Sequence, residues 1–113
     1  MHLISKKPEF YLYIKIGYSF VAKMDGEIVG MLLVSKHSCY SKRLFVDYIA
    51  INPVYQGKGV GLLLYKALIN KAKKSEIAVI KALISLDNPN SIKLHEKVGF
   101  HLKDRKEAVL ERF

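Results

Sequence analysis

A chain of 113 residues, half of them apolar, is long enough to bury one core and too short for two ordinary domains, so residues 1–113 are read as a single domain. Its longest apolar run, Ile77 to Leu86, is broken by Lys81 and falls short of the roughly 20 residues a membrane-spanning helix needs; the opening Met-His-Leu-Ile-Ser-Lys-Lys-Pro lacks the apolar stretch of a secretory signal, so a cytoplasmic protein with no membrane partner is expected. The formal charge of +9 favours an anionic partner, whether nucleic acid, an acidic surface or a phosphorylated cofactor, although lysines spread along the whole chain read mostly as solvated helix faces. One cysteine, Cys39, excludes an internal disulfide, and His2, His37, His95 and His101 have no metal-ligand spacing; no metal is expected.

In chain order, Pro8 to Ile16 reads as a short helix with proline in its first turn and Gly17 as its stop, although its tyrosines and isoleucines also suit a strand. Tyr18 to Met24 and Glu27 to Ser35 are β-branched, apolar runs joined by Asp25-Gly26, the signal of a tight hairpin. Leu44 to Ile51 reads as a third strand, stopped by Asn52-Pro53 because proline cannot continue a ladder. From Gly59 to about Lys74, Val60, Leu64, Leu68 and Ala72 recur every four residues and predict a helix with one buried stripe. Ile77 to Leu86 then reads as a buried strand. Asp87-Asn88-Pro89 opens a second helix that Gly99 closes as a left-handed cap, and two short strands, Phe100 to Arg105 and Ala108 to Arg112, are expected to end the chain. An antiparallel meander followed by β-α-β-α-β implies a mixed α/β fold with helices packed on a central mixed sheet, the strands flanking the first long helix pairing in parallel.

Between the third strand and that helix lies Gln56-Gly57-Lys58-Gly59-Val60-Gly61. Three glycines there let several backbone N–H groups converge on one point, and the helix dipole and Lys58 add positive charge to it: an arrangement that attracts phosphate. The spacing is neither that of a Walker loop nor that of a Rossmann fingerprint. From the glycines alone a sharp turn without a ligand stays equally open.

Gln56-x-x-Gly59-x-Gly61, after Ala50-Ile51-Asn52-Pro53, resembles the first signature of the GNAT superfamily of N-acetyltransferases; Asn88-x-x-Ser91-Ile92-x-Leu94-His95-Glu96-Lys97-x-Gly99-Phe100 resembles the second. The resemblance covers about Leu44 to Phe100, and the Asp25-Gly26 hairpin fits the family's second and third strands. It implies acetyl-CoA as co-substrate, its pantetheine arm paired with strand backbone near Ile49 and Ile51 and its pyrophosphate on the loop Gln56, Gly57, Lys58, Gly59, Val60 and Gly61. Asn88 and Ser91 are then cofactor-side contacts, although helix capping explains both more simply.

The implied reaction moves an acetyl group from the thioester to a primary amine on a small molecule, a lysine side chain or a peptide N-terminus. The family's usual tyrosine acid near the sulfur is replaced here by His95, which titrates near neutrality and suits the same task, against the plainer reading of a core histidine bonded to a carbonyl. Asp47, three residues before Ala50-Ile51, is the candidate base; strand alternation groups it with Phe45 and Ile49. Tyr48 and Tyr65 read as packing residues. Family members are generally longer, with two helices walling the acceptor site, so here the pocket is open, completed by a second subunit, or degenerate; Phe10, Tyr11 and Tyr13 suit either a homodimer interface or the core. A catalytically weak acetyl-CoA sensor or subunit and a basic nucleic-acid-binding domain are the alternatives, with nucleic acid the less expected partner.

Overall fold

The tight turn at Asp25-Gly26 is the local feature from which the sheet can be built. Both residues take positive φ, 51° and 81°, the twist that matches a right-handed strand pair in a two-residue hairpin. In the computed structural model, which describes residues 2–6, 11–38 and 40–112, that hairpin joins β3 (Ser19–Met24) to β4 (Glu27–Lys36). They lie within a six-stranded sheet whose spatial order follows the sequence: β1 (His2–Lys6), β2 (Tyr11–Ile16), β3, β4, β5 (Arg43–Ile51) and β6 (Val79–Ala82). Neighbours from β1 to β5 pair antiparallel, and β5 pairs with β6 in parallel. The parallel pair needs a crossover, supplied by α1 (Val60–Lys74); α2 (Pro89–Val98) follows β6.

The four-residue stripe of α1 is the core. Val60, Leu64, Leu68 and Ala72 are all buried, packed with Tyr65 against Phe20 and Ala22 of β3, Leu32 of β4 and Leu44 of β5. Two glycines set how closely α1 can approach. A Cβ on Gly30 of β4 would lie 2.8 Å from Val60 Cγ1 and 3.1 Å from Ile51 Cδ1, and one on Gly61 would lie 2.8 Å from Leu94 Cδ2. Gly30 therefore seats the first turn of α1 on the sheet, and Gly61 seats α2 on α1. None of the described helices is long and apolar enough to cross a membrane.

Three expectations are corrected. Tyr11 to Ile16 is a strand rather than the end of a helix; Pro8 to Phe10 lie outside the described residues, as does Cys39. The run Tyr-Leu-Tyr-Ile-Lys-Ile meets β3 directly across Gly17-Tyr18, and ladder pairing of β-formers outweighs a helix too short to sustain itself. The strand expected over Ile77 to Leu86 contracts to Val79–Ala82, with Leu83 and Leu86 exposed. Phe100 to Arg112 form no strand. Gly99, at φ 115°, caps α2, and Phe100 N–H bonds the His95 carbonyl. The highly charged Lys103-Asp104-Arg105-Lys106-Glu107 beyond it has no apolar alternation to lay on a sheet.

Gly30→Val should therefore lower stability by about 1–3 kcal/mol, the usual cost of overpacking. Urea unfolding checks this, with exposed Ile28→Val as the neighbouring control; an unchanged midpoint for Gly30→Val would mean that α1 does not sit this closely on β4.

Candidate functional site

The parallel pair β5–β6 is short. It joins Arg43, Leu44, Phe45 and Val46 to Val79, Ile80, Lys81 and Ala82, and ends there, although β5 continues to Ile51. Backbone groups of successive strand residues point to alternate edges. Asn52 N–H donates to the Val29 carbonyl at 2.8 Å, so the backbone groups of Ala50 and Tyr48 face β4, and those of Ile51 and Ile49 face the side that β6 has left. One of these is taken: Gln56 Nε2 donates to the Ile51 carbonyl at 3.4 Å. Ile49 thus presents N–H and C=O to an open notch, while its side chain and that of Ile51 pack inward against the core.

At the end of β5, Asn52 Oδ1 accepts from Val54 N–H at 3.0 Å and caps the short turn Pro53–Tyr55. Gly57 and Gly59 follow with φ of 77° and 83°, conformations in which a side chain would be strained. Gly59 is the N-cap of α1 and has no side chain to bond the first turn. The first helical bond runs from Leu63 N–H to the Gly59 carbonyl, 3.0 Å, so the N–H groups of Val60, Gly61 and Leu62 have no acceptor within the helix. Lys58, exposed, holds Nζ 5.7 Å from the Tyr55 ring beside them. An anion placed here meets donors, the positive end of the dipole and a lysine. Gly61 itself is buried and serves the α1–α2 contact, so its part in the loop is to let the helices close; its N–H remains on the first turn.

His95 is 1% exposed, on α2. Its Nδ1 lies 2.7 Å from the Ser91 carbonyl oxygen, which only accepts, so Nδ1 carries the proton. Nε2 of the neutral ring is then an acceptor, and it receives the Tyr65 O–H at 2.5 Å. The rings of Tyr65, His95 and Phe100 meet edge to face, with centroids 5.1 to 5.3 Å apart. Burial holds the His95 pKa below the usual imidazole range, its bond to the Ser91 backbone opposing that shift, and pushes the Tyr65 phenol up. As a free acid facing a thiolate His95 does not fit: it is neutral, enclosed, and both ring nitrogens are engaged. Tyr65, expected only to pack, proves to be its partner. Their helices are far apart in sequence, and no local pattern joins them.

Asn88 and Ser91 form a cap, with Ser91 N–H donating to Asn88 Oδ1 at 3.1 Å; Ser91 Oγ lies 3.4 Å from His95 Nδ1. Asp47 is displaced by a β-bulge. Tyr48 pairs with Leu33 and Val46 with Val34, leaving Asp47 with no partner on β4. Leu44 and Val46 before the bulge, and Ile49 and Ile51 after it, all face the core; the expected grouping of Asp47 with Ile49 is therefore wrong. Asp47 shares the outer face with Tyr48, both exposed, and its Oδ1 accepts from Ser35 Oγ at 3.1 Å. Beside them a groove of about 360 Å³ is lined by residues that include Ile28, Met31, Tyr48, Ala50 and Pro53. Among the described residues no cluster of three or more His, Cys, Asp or Glu could hold a metal.

Residues 3–100 match the model of the acetyltransferase (GNAT) family. The chain is 29% identical to L-2,4-diaminobutyric acid acetyltransferase of Nocardia farcinica over 74% of its own length, and spans 43% of that protein. Its fold resembles that of an aminoglycoside N-acetyltransferase in complex with CoA (TM-score 0.71, 22% identity, 95% of this chain and 79% of the other). It also resembles the ribosomal-protein-S18-alanine N-acetyltransferase of Escherichia coli (TM-score 0.68, 20% identity, 88% and 57%).

The buried histidine sets a pH dependence. Above the ordinary imidazole value, near 6.5, folded and unfolded chains both hold His95 neutral; as pH falls below it, the unfolded chain takes up a proton that the fold refuses, and stability is lost until the lowered folded value is passed. Urea midpoints should fall more steeply from pH 7.5 to pH 5 in the wild type than in Tyr65→Phe/His95→Phe, where nothing titrates at this place. Equal slopes would mean that the ring protonates freely in the fold.

Proposed function

Because this chain belongs to the acetyltransferase (GNAT) family, we propose that it binds acetyl-CoA and transfers the acetyl group to a primary amine. The observation that carries the proposal is the coincidence, at the C-terminal end of β5, of an unpaired strand edge with an uncapped helix start. An extended amide-bearing arm needs the first, and a pyrophosphate needs the second. The groups present fit both: the N–H and C=O of Ile49 and the N–H of Ile51 for the arm, and the first-turn N–H groups of α1 with Lys58 for the phosphates. Gly57 and Gly59 give the loop its left-handed backbone, and Gln56 ties that loop to Ile51. Asn88 and Ser91 hold the start of α2, and their contact with the cofactor is proposed only through that placement.

Bound acetyl-CoA supplies a thioester whose carbonyl carbon gains the amine nitrogen as its C–S bond breaks, with one amine proton passing in net terms to the sulfur. The chain's task is to deliver a neutral amine in line with that carbon. Asp47 stands where β5 and β6 part, exposed and oriented by Ser35, and is proposed to accept the ammonium proton directly or through water. The thiolate needs no buried acid, since a thiol with an ordinary pKa of about 8.5 regains its proton from water near neutrality. His95 is assigned a positioning role: with Tyr65 it fixes α2 on α1.

Calorimetry tests the cofactor site. Acetyl-CoA should bind to the chain, and Gly59→Glu, which places a carboxylate among the phosphate donors, should weaken binding at least ten-fold with the fold intact by circular dichroism. Absence of binding to the wild type would reject the proposal. With an acceptor in hand, Asp47→Asn should lower kcat/KM by about 10²-fold or more near pH 7, in the range of general-base losses, with less loss at higher pH where the amine is already neutral. An unchanged profile would remove Asp47 from the reaction.

A further inference from the structure

Both helices lie on one side of the sheet, α1 on β3, β4 and β5 and α2 on α1; among the described residues no helix covers the opposite face. Across β4 and β5 that face places Met31 opposite Ala50 and Leu33 opposite Tyr48. Ile28 and Tyr48 are about half exposed, at 47% and 54%. The groove between them, about 360 Å³, is lined by Ile28, Val29, Gly30, Met31, Tyr48, Ala50, Asn52 and Pro53, with no charged side chain. The bulge in β5 brings Asp47 onto this face beside Tyr48, so a carboxylate stands next to a residue that lines the apolar slot. The slot is at the small end of ligand pockets, which run from about 300 to 1,000 Å³.

We infer that the acceptor is a small primary monoamine with an apolar body, its ammonium group at Asp47 and its body along Ile28, Met31, Tyr48 and Ala50. The inference rests on the acetyl-transfer reading above and gives it a substrate class. Two observations carry it. The residues that line the groove offer contact for an aryl or alkyl group and carry no charge, and Asp47, next to Tyr48, puts a carboxylate on the same face. The chain has a formal charge of +9, so a polycation gains a partner for one of its ammonium groups and meets repulsion at the others. A polyamine or an aminoglycoside is therefore disfavoured, and an amine with no apolar body leaves the slot unfilled.

The test compares 2-phenylethylamine, ethylamine and spermidine on the full chain by two readouts. Amide chemical shifts of labelled protein, without acetyl-CoA, judge the groove alone. 2-Phenylethylamine should move Asp47, Tyr48 and Ala50 and saturate at least ten-fold lower in concentration than the other two amines. Thiol release from acetyl-CoA should then give 2-phenylethylamine a kcat/KM at least ten-fold above both. Tyr48→Lys, an exposed substitution that places a cation at the rim, should abolish both preferences while calorimetric affinity for acetyl-CoA stays within two-fold; Met31→Lys is the second such variant. Equal or better performance by spermidine or ethylamine, shifts elsewhere on the chain, or a dimer in solution that Tyr48→Lys dissociates would each overturn the inference. If acetyl-CoA binds and none of the three amines is acetylated, the substrate class is wrong and the cofactor site stands. If acetyl-CoA does not bind, the functional reading itself fails, whatever the shift titration gives.

Discussion

Parallel strands β5 and β6 stay paired for only four residues, and that short overlap leaves an open strand edge beside the uncapped start of α1. A strand that loses its neighbour keeps its hydrogen-bonding groups, and leaving them unpaired is costly unless water or a ligand takes them. Where β5 runs on alone its inward side chains, Ile49 and Ile51, still pack on the core, so the strand is held in shape by one face and one edge. That combination makes a rigid, unsatisfied edge. Had β6 continued to Leu86 beside β5, the edge would be closed and the start of α1 would face a sheet instead of a notch.

Much of this arrangement was legible from residue pattern. The Asp25-Gly26 turn, the four-residue stripe from Val60 to Ala72 and the Asn88-Pro89 start and Gly99 stop of α2 are local signals: each depends on residues within a few positions, and each appears where the pattern puts it. What failed depends on partners distant in sequence. Tyr11 to Ile16 became a strand because β3 was available to pair with it, and Phe100 to Arg112 formed none where the sheet ends on the four-residue β6. The bulge at Asp47 is the most instructive case. A strict two-residue alternation reads every side chain after an inserted residue onto the wrong face, and nothing in Leu-Phe-Val-Asp-Tyr-Ile-Ala-Ile announces the insertion. Leu44 and Val46 before it and Ile49 and Ile51 after it fit the core only if one residue between them is left over.

His95 separates chemical suitability from placement. Its residue type and its position ahead of Gly99-Phe100 made an acid plausible, while its two ring nitrogens were already spoken for by a carbonyl one turn back and a phenol on another helix. The carbonyl contact fixes the tautomer, the tautomer makes Nε2 an acceptor, and the acceptor fixes the direction of the Tyr65 proton. A buried network in which every donor has an acceptor specifies one packing of two helices. In this chain it specifies how α2 sits on α1, which is structural information carried by residues that look catalytic.

The glycines of the Gln56 to Gly61 segment divide their work in a similar way, and the division explains why a binding motif and a folding motif coincide. Gly57 and Gly59 need left-handed φ and have open space around them; they set the course of the backbone into the first turn of α1. Gly61 has an ordinary helical backbone and no room, because Leu94 occupies the place of its side chain. Gly30, outside the segment, gives Val60 the same allowance from the sheet side. The first turn of α1 is thus held between β4 and α2 at a distance that only hydrogen allows. An anion site made of backbone N–H groups has no side chain to adjust, so its precision depends on how firmly those groups are held. Close packing on two sides supplies that firmness: Gly61 alone of the segment's glycines lets α2 close on the first turn, Gly30 does so from the sheet, and Gly57 and Gly59 set the left-handed approach to it.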